Sequence, residues 1–194
     1  MLMYQISRFT LTACICLLLL ACVSTDDQPA GPLAGKKTIV LMGNKGEQLA
    51  IGTVLFTPSD DSDKVSYTID IDYAIFTDYF LSMKEMKCLE GPELWCHLRY
   101  PYEQPRTVTA TDLSWLSHDL LFMFKKKGEF GANFWNGIYY EFDVRDDAIY
   151  GKAQAVDLNM LAAPPDDLAT PPFNAFERSE TESAPRFLPF VGIR

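Results

Sequence analysis

The alternation of apolar and polar side chains predicts a chain built mainly of antiparallel β-strands. Residues 64–73 show the pattern most clearly, because every second side chain is apolar and those between them are polar. This period of two is typical of a strand with one face buried and the other in water. Before it, an apolar run at 39–42, a turn at 43–46 and a second run at 49–57 predict a hairpin.

A second hairpin is predicted around a turn at Asp146 and Asp147. Folding the chain there sets large side chains against small ones on the inner face, and it sets Glu141 against Lys152 on the outer face. The pairs expected on the inner face are Val144 with Ile149, Phe142 with Gly151, Tyr140 with Ala153 and Ile138 with Ala155.

Residues 77–89 fit either a strand or a helix. A strand over 80–89 requires a bulge, because its apolar residues change parity, whereas a helix would align Phe76, Phe80 and Met83. The strand is favoured, because 90–93 have turn chemistry and 94–100 then alternate. This folding sets Cys88 opposite Cys96 at the spacing of a disulfide, which would add about 2–3 kcal/mol of stability by the loop-entropy model.

Residues 111–126 carry a helical pattern, with Thr111 as the N-cap and Gly128 as the C-terminal stop. Apolar side chains at 113, 116, 120, 121 and 124 form the stripe that would face the core. Trp115 and Phe122 fall on the opposite side of such a helix. Another part of the domain, the C-terminal tail through its apolar cluster at 187–191, or a partner protein would have to cover them.

These elements predict one mainly β domain over residues 36–162. We expect seven or eight antiparallel strands and one amphipathic helix, arranged as a barrel or a curled sandwich. Residues 22–35 are small and polar and predict a flexible tether. Residues 163–194 hold six prolines, which favour an irregular tail.

The N-terminus carries a targeting pattern. Arg8 precedes an apolar run over 9–21, which ends in Leu19, Leu20, Ala21 and Cys22. The run suits an export signal and is short for a membrane-spanning helix, which needs about 20 residues. These residues resemble the lipobox signal peptide of bacterial lipoproteins. An ordinary cleaved signal is disfavoured, because Leu19 fits poorly where such a site requires a small residue.

The resemblance implies removal of residues 1–21 and attachment of acyl chains such as palmitate to Cys22. It also implies the outer membrane, since Val23 replaces the aspartate that usually retains such proteins at the inner membrane. We expect the domain to face the periplasm rather than the cell exterior. Two other cysteines leave with the signal, so Cys88 and Cys96 remain as a pair in an oxidising compartment.

Charge excludes some partners. The whole chain has a formal charge of −9, and removal of residues 1–21 deletes one cation, which leaves −10. This balance argues against nucleic acid, whose phosphates require a basic surface. It also argues against electrostatic docking on anionic lipid, so the acyl chains would have to hold the protein at the membrane.

Sequence motifs nominate no catalytic residue, metal site or cofactor. Asp60, Asp61 and Asp63 lack the further ligands of an EF-hand, and His97 and His118 show no paired ligand spacing. The adjacent Asp70 and Asp72 fit an ordinary solvent-exposed strand face. The aromatic content of 13% is the one anomaly. Its clustered members Phe130, Phe134, Trp135 and Tyr140 are candidates for lining an apolar pocket.

Three functions follow, in order of preference. The first is a non-enzymatic envelope lipoprotein that binds or scaffolds another envelope protein. The second is a carrier of an apolar small molecule in the mouth of a β-barrel. The third is a hydrolase whose site is assembled from residues distant in sequence.

Replacing Cys22 with serine tests the anchor. We expect Cys22→Ser to leave the precursor unprocessed and to remove acyl-dependent membrane attachment without unfolding the domain. Salt washing should not release the wild-type protein from membranes, because acyl chains rather than charge hold it. Mass spectrometry of the mature N-terminus reads the modification directly, and a mature N-terminus without acyl chains would contradict the assignment.

Overall fold

The computed structural model describes residues 31–59, 63–81 and 85–194. The signal peptide at 1–21, Cys22 and most of the tether lie outside the described residues, as do Asp60, Asp61 and Met83. The described part of the chain forms twelve strands, one α-helix and 3-10 helices at Tyr73–Ile75 and Leu158–Ala162. The other elements are β1 (Gly35–Met42), β2 (Gln48–Pro58), β3 (Val65–Ile71), β4 (Thr77–Phe80), β5 (Glu85–Leu89), β6 (Glu93–Leu98), β7 (Thr107–Val108), α1 (Ser114–Asp119), β8 (Leu121–Lys126), β9 (Gly137–Arg145), β10 (Ala148–Val156), β11 (Arg178–Glu180) and β12 (Phe190–Ile193).

All twelve strands belong to one antiparallel sheet, which confirms the predicted fold class. The strand order is β4-β5-β6-β8-β9-β10-β12-β1-β2-β3-β7, and β11 pairs with β10 beside this path. The sheet is open rather than closed into a barrel, because β4 and β7 lie at its two ends. The prediction of seven or eight strands was too low. It treated β4 and β5 as one strand and missed β7, β8, β11 and β12.

The helix predicted over 111–126 is wrong in its second half. Helix α1 ends at Asp119, and β8 then runs through the middle of the sheet between β6 and β9. Leu121, Phe122 and Met123 are all fully buried, because both faces of β8 are covered. A strand buried on both faces has no alternating polar positions, so its apolar run looks like the face of a helix.

The two predicted hairpin registers are confirmed. Strands β9 and β10 pair Val144 with Ile149, and the register continues through the three expected pairs that follow it. Strands β5 and β6 pair Cys88 with Cys96, and these two residues form a disulfide. The bond joins neighbouring strands near one end of the sheet.

The predicted domain boundary at 162 and the irregular tail after it do not match the structure. Strand β12, near the end of the chain, lies between β1 and β10 and pairs with both. Proline density did not prevent this, because Pro189 immediately precedes the strand and its carbonyl accepts a hydrogen bond from the Ala153 N–H at 2.8 Å.

Several buried contacts hold the segment that leads into β12. Arg186 Nη1 lies 3.0 Å from Glu93 Oε1, and both side chains are largely buried. The Phe187 N–H donates to Glu93 Oε2 at 3.1 Å. The Phe187 ring packs on Gly91, where an added Cβ would overlap the ring. The turn between β5 and β6 therefore requires glycine at this position, because the ring leaves no room for a side chain.

Two hydrophobic clusters cover the two faces of the central strands. The larger cluster contains Trp95, Phe122, Tyr140 and Leu188, and the smaller one contains Met123, Tyr139 and Phe173. Inside the larger cluster, Trp95 Nε1–H donates to the Tyr140 hydroxyl at 3.1 Å, and that hydroxyl donates to the Leu188 carbonyl at 2.7 Å. The C-terminal segment is thus part of the main core.

Trp115 and Phe122 do not share a helix face as predicted. Trp115 lies on α1 and packs against Tyr100 and His118, whereas Phe122 lies on β8 against Trp95 and Tyr140. Both are buried within the domain. In the described part of the chain, no helix has the length and apolar character to cross a membrane.

Two leucine substitutions test the structural role of the C-terminal segment. Leu188 is fully buried and Leu168 is 42% exposed, so they form a matched pair. We expect Leu188→Ala to lower the free energy of unfolding by about 2–5 kcal/mol. Leu168→Ala should change it by no more than about 0.5 kcal/mol. Urea denaturation measures both, and equal small effects would contradict a packed C-terminal segment.

Candidate functional site

The four residues predicted to line an apolar pocket do not come together. Phe130 is fully exposed and Trp135 is 70% exposed, whereas Tyr140 is fully buried in the larger cluster. Phe134 is partly buried against the smaller cluster. Their closeness in sequence was misleading. Phe134 and Trp135 lie in the loop before β9, whereas Tyr140 lies on β9, where successive side chains point to opposite faces of the sheet.

Three exposed aromatic side chains instead lie on β4 and on the loop between β8 and β9. Phe80 is 74% exposed at the end of β4. The loop that carries Phe130 approaches there, since an added Cβ on Gly131 would lie 3.5 Å from the Leu81 carbonyl oxygen. Leu81 and Phe134 also pack against the same cluster. We call Phe80, Phe130 and Trp135 the aromatic corner.

A cleft of about 260 Å³ lies between residues of β3, the end of β6 and the end of α1. Its polar lining comes from distant parts of the chain and was not predicted as a site. The lining residues used below are Tyr73, His97, Arg99, Arg106 and Asp119, and we call this the arginine cleft.

The hydrogen bonds of His97 fix its tautomer. Its Nε2 lies 3.1 Å from the Asp119 carbonyl oxygen, which can only accept, so Nε2 carries the proton. Its Nδ1 therefore accepts from the Tyr73 hydroxyl at 3.0 Å. Burial lowers the pKa of His97 to about 4, because the charged ring would lose its hydration. His97 is thus neutral near pH 7.

Asp119 is almost fully buried beside the cleft. Tyr67 donates to its Oδ2 at 3.0 Å, and Arg106 Nε lies 3.9 Å from the same oxygen. Burial raises the pKa of Asp119, whereas the hydrogen bond from Tyr67 and the charge of Arg106 act in the opposite direction. The same burial, together with the Asp119 charge, raises the pKa of Tyr67.

Arg106 has an unusual backbone conformation, with φ of 51°. A residue with a Cβ enters this left-handed region at a cost of about 1–2 kcal/mol. The conformation is held in place because the Arg106 carbonyl accepts a hydrogen bond from the Tyr67 N–H at 3.0 Å. Such strained residues concentrate at binding and catalytic sites.

A second cleft of about 270 Å³ shares Tyr73, His97 and Arg99 with the first. Its other lining includes the apolar side chains of Met86, Leu98 and Phe134. The two clefts therefore meet at the Tyr73–His97 pair, with a charged space on one side and a more apolar space on the other.

This arrangement favours binding over acyl transfer. The described residues that line the arginine cleft include no serine, threonine or cysteine. His97 also uses both ring nitrogens in hydrogen bonds to the protein, so it is not free to act as a base. Among the described residues, no cluster of histidine, cysteine, aspartate or glutamate side chains is arranged to hold a metal ion.

His118 has a structural position. Its Nδ1–H donates to the Ser114 carbonyl at 2.7 Å, and its Nε2 accepts from the Phe173 N–H at 3.2 Å. The Phe173 ring stacks on the imidazole with 5.3 Å between ring centroids. Burial lowers the pKa of His118 to about 4. This histidine therefore holds the proline-rich segment against α1.

Comparison of the chain with protein-family models, with curated proteins and with solved structures gives no match.

Acid should weaken this fold through its two histidines. Each accepts a hydrogen bond through one ring nitrogen, and protonation removes that acceptor. Between pH 6.5 and about 4 the unfolded chain binds more protons at these sites than the folded chain, so the free energy of unfolding falls as pH is lowered. Each histidine contributes on the order of 3 kcal/mol by pH 4.

Denaturation at several pH values measures this slope, and His97→Gln or His118→Gln should make it shallower. Asp119 acts in the opposite sense, because its raised pKa lets the folded state hold a proton more tightly. The control variant Asp143→Asn removes an exposed carboxylate, and it should leave the contribution of the two histidines to this pH dependence unchanged. Equal slopes in the wild type and both histidine variants would contradict the assignment.

Proposed function

We propose that this chain is a lipid-anchored protein of the bacterial cell envelope, held at the outer membrane and facing the periplasm. In this proposal it is not an enzyme, and it serves as a binding or scaffolding module for another envelope protein. The lipobox residues ending at Cys22 support the anchor. The aromatic corner is the observation that carries the binding role.

The chemistry of the domain supports an exported location. Cys88 and Cys96 are joined, and disulfides persist in oxidising compartments such as the periplasm. The chain has a formal charge of −9, so attachment through acyl chains supports membrane binding better than charge does.

The aromatic corner supports docking of a protein partner. Phe80, Phe130 and Trp135 present large apolar areas to water, on β4 and on the loop that approaches Leu81. Contiguous exposed apolar groups are typical of interaction sites, and aromatic residues are enriched where partners bind most strongly. A partner with an apolar groove would remove these side chains from water.

The geometry supports this role better than the carrier that the sequence suggested. That carrier requires Phe134, Trp135 and Tyr140 around one cavity, but Trp135 is exposed, Tyr140 is packed inside the larger cluster and Phe134 packs against the smaller one.

Site-specific crosslinking in cells tests the proposal. A photoreactive residue at Leu81, beside the corner, should give a defined adduct with an envelope protein. We expect Phe130→Ser with Trp135→Ser to abolish that adduct, because the partner loses its apolar contacts. Phe176→Ser is the matched control, since Phe176 is 97% exposed outside the corner. The proposal fails if no adduct forms, or if the corner variant keeps the adduct.

A further inference from the structure

The arginine cleft brings positive and negative side chains together in a chain that is acidic overall. Arg99 and Arg106 both line it, and Asp119 is the buried carboxylate beside them. Asp70 of β3 also lines the cleft, so the formal charges of its two arginines and two aspartates balance. The whole chain has a formal charge of −9, so this balance makes the cleft less acidic than the chain as a whole.

We propose that the two clefts together bind a small amphipathic anion. Its carboxylate or phosphate group would lie against Arg99 and Arg106, and its apolar body would lie along Met86, Leu98 and Phe134. This site is separate from the aromatic corner, so it does not depend on the proposed scaffolding role.

The two guanidinium groups differ in their ion pairs, because only Arg106 is paired with a carboxylate in the described part of the protein. Arg106 is partly compensated, because its Nε lies 3.9 Å from Asp119 Oδ2. Arg99 forms no ion pair or hydrogen bond with any described residue. Guanidinium groups match carboxylate and phosphate oxygens in two-point hydrogen bonds. The charge of Arg99 already acts on Asp119, but the exposed guanidinium has no direct partner among the described residues, and an anion entering the cleft would supply one.

The cleft walls around these arginines are preorganised. Arg106 is held in its left-handed conformation by the hydrogen bond that its carbonyl accepts from Tyr67, and Tyr67 also donates to Asp119. His97 is fixed between Tyr73 and the backbone of Asp119. A preformed site loses less conformational entropy on binding, so modest contacts can give measurable affinity.

The adjoining cleft explains why the ligand should be amphipathic. It shares Arg99 with the charged cleft and adds apolar side chains from β5, β6 and the segment before β9. Its charged members besides Arg99 are Glu85 and Lys87, and Lys87 already pairs with Asp78 at 2.6 Å. The two spaces measure about 260 and 270 Å³, so each takes only a small group.

Titration with short-chain amphiphiles tests the proposal. The protein is the mature chain from residue 22 with Cys22→Ser, which keeps every residue that the structure describes. Decanoate and decyl phosphate are the probes, and decanol is the uncharged control, all below micelle-forming concentrations. We expect saturable binding of at least one anion, with shifted NMR signals at Tyr73, His97 and Arg99, and no matching response to decanol. The tighter anion identifies the head group.

Substitutions test separately the part of the site that binds the anionic group and the part that binds the apolar body. Arg99→Gln should weaken anion binding about tenfold or more, equivalent to about 1.4 kcal/mol. Phe134→Ser should weaken decanoate binding. Acetate has the same head group without the apolar chain, so its weak binding should be the same in this variant and in the wild type. Arg145→Gln is the control, because Arg145 is exposed on β9 and pairs with Asp143. Arg99 makes no contact that folding needs, and unchanged melting temperatures verify that its variant is folded.

Three results would overturn the proposal. The first is equal binding of decanol and the anions. The second is binding by Arg99→Gln that matches the wild type. The third is a set of shifted NMR signals that lies away from both clefts.

Discussion

The structure depends on pairing between the last strand of the chain and two strands far from it in sequence. Strand β12 lies between β1 and β10, and the backbone groups of β1 and β10 that face it would lose their partners if it left. Unpaired strand edges are costly when they are buried, so this one short strand joins the two halves of the sheet. The buried pair of Arg186 and Glu93 brings the chain to this position.

This constraint positions the rest of the molecule. The disulfide joins β5 to β6, and Glu93 of β6 binds the segment that leads into β12. The same part of the sheet ends in Arg99, where the two clefts meet. The arginine cleft lies between this part of the sheet and β3 of the other half, whereas Phe80 of the aromatic corner lies at the end of β4.

The sequence predicted those parts of the fold that depend on local pattern. The β9–β10 register followed from alternation and the turn at Asp146, and the cysteine pair followed from a turn flanked by alternating residues. Strand β8 was mistaken for helix, since burial on both faces removes the alternation that marks a strand. Strand β12 was missed because four residues after a proline carry almost no local signal, and only the distant strands β1 and β10 define it.

The candidate site was harder to predict for the same reason. His97 and Arg99 share one parity of a predicted strand, which was the one visible sign of a polar face there. Arg106 and Asp119 come close to these two residues only when the chain folds, because neither lies on that strand. Asp119 also lay inside a stretch predicted as helix. The aromatic residues were noted as unusual, but sequence could not separate the buried Tyr140 from the exposed Phe130.

Native-state hydrogen exchange of β12 tests the central claim most directly. If β12 joins the two halves of the sheet, the hydrogen-bonded amides of residues 190–193 should exchange only through the global unfolding that also exposes β9 and β10. Their opening free energies should therefore match those of the β9–β10 amides. Exchange of the β12 amides at the rate of exposed loops, while β9 and β10 remain protected, would contradict this account.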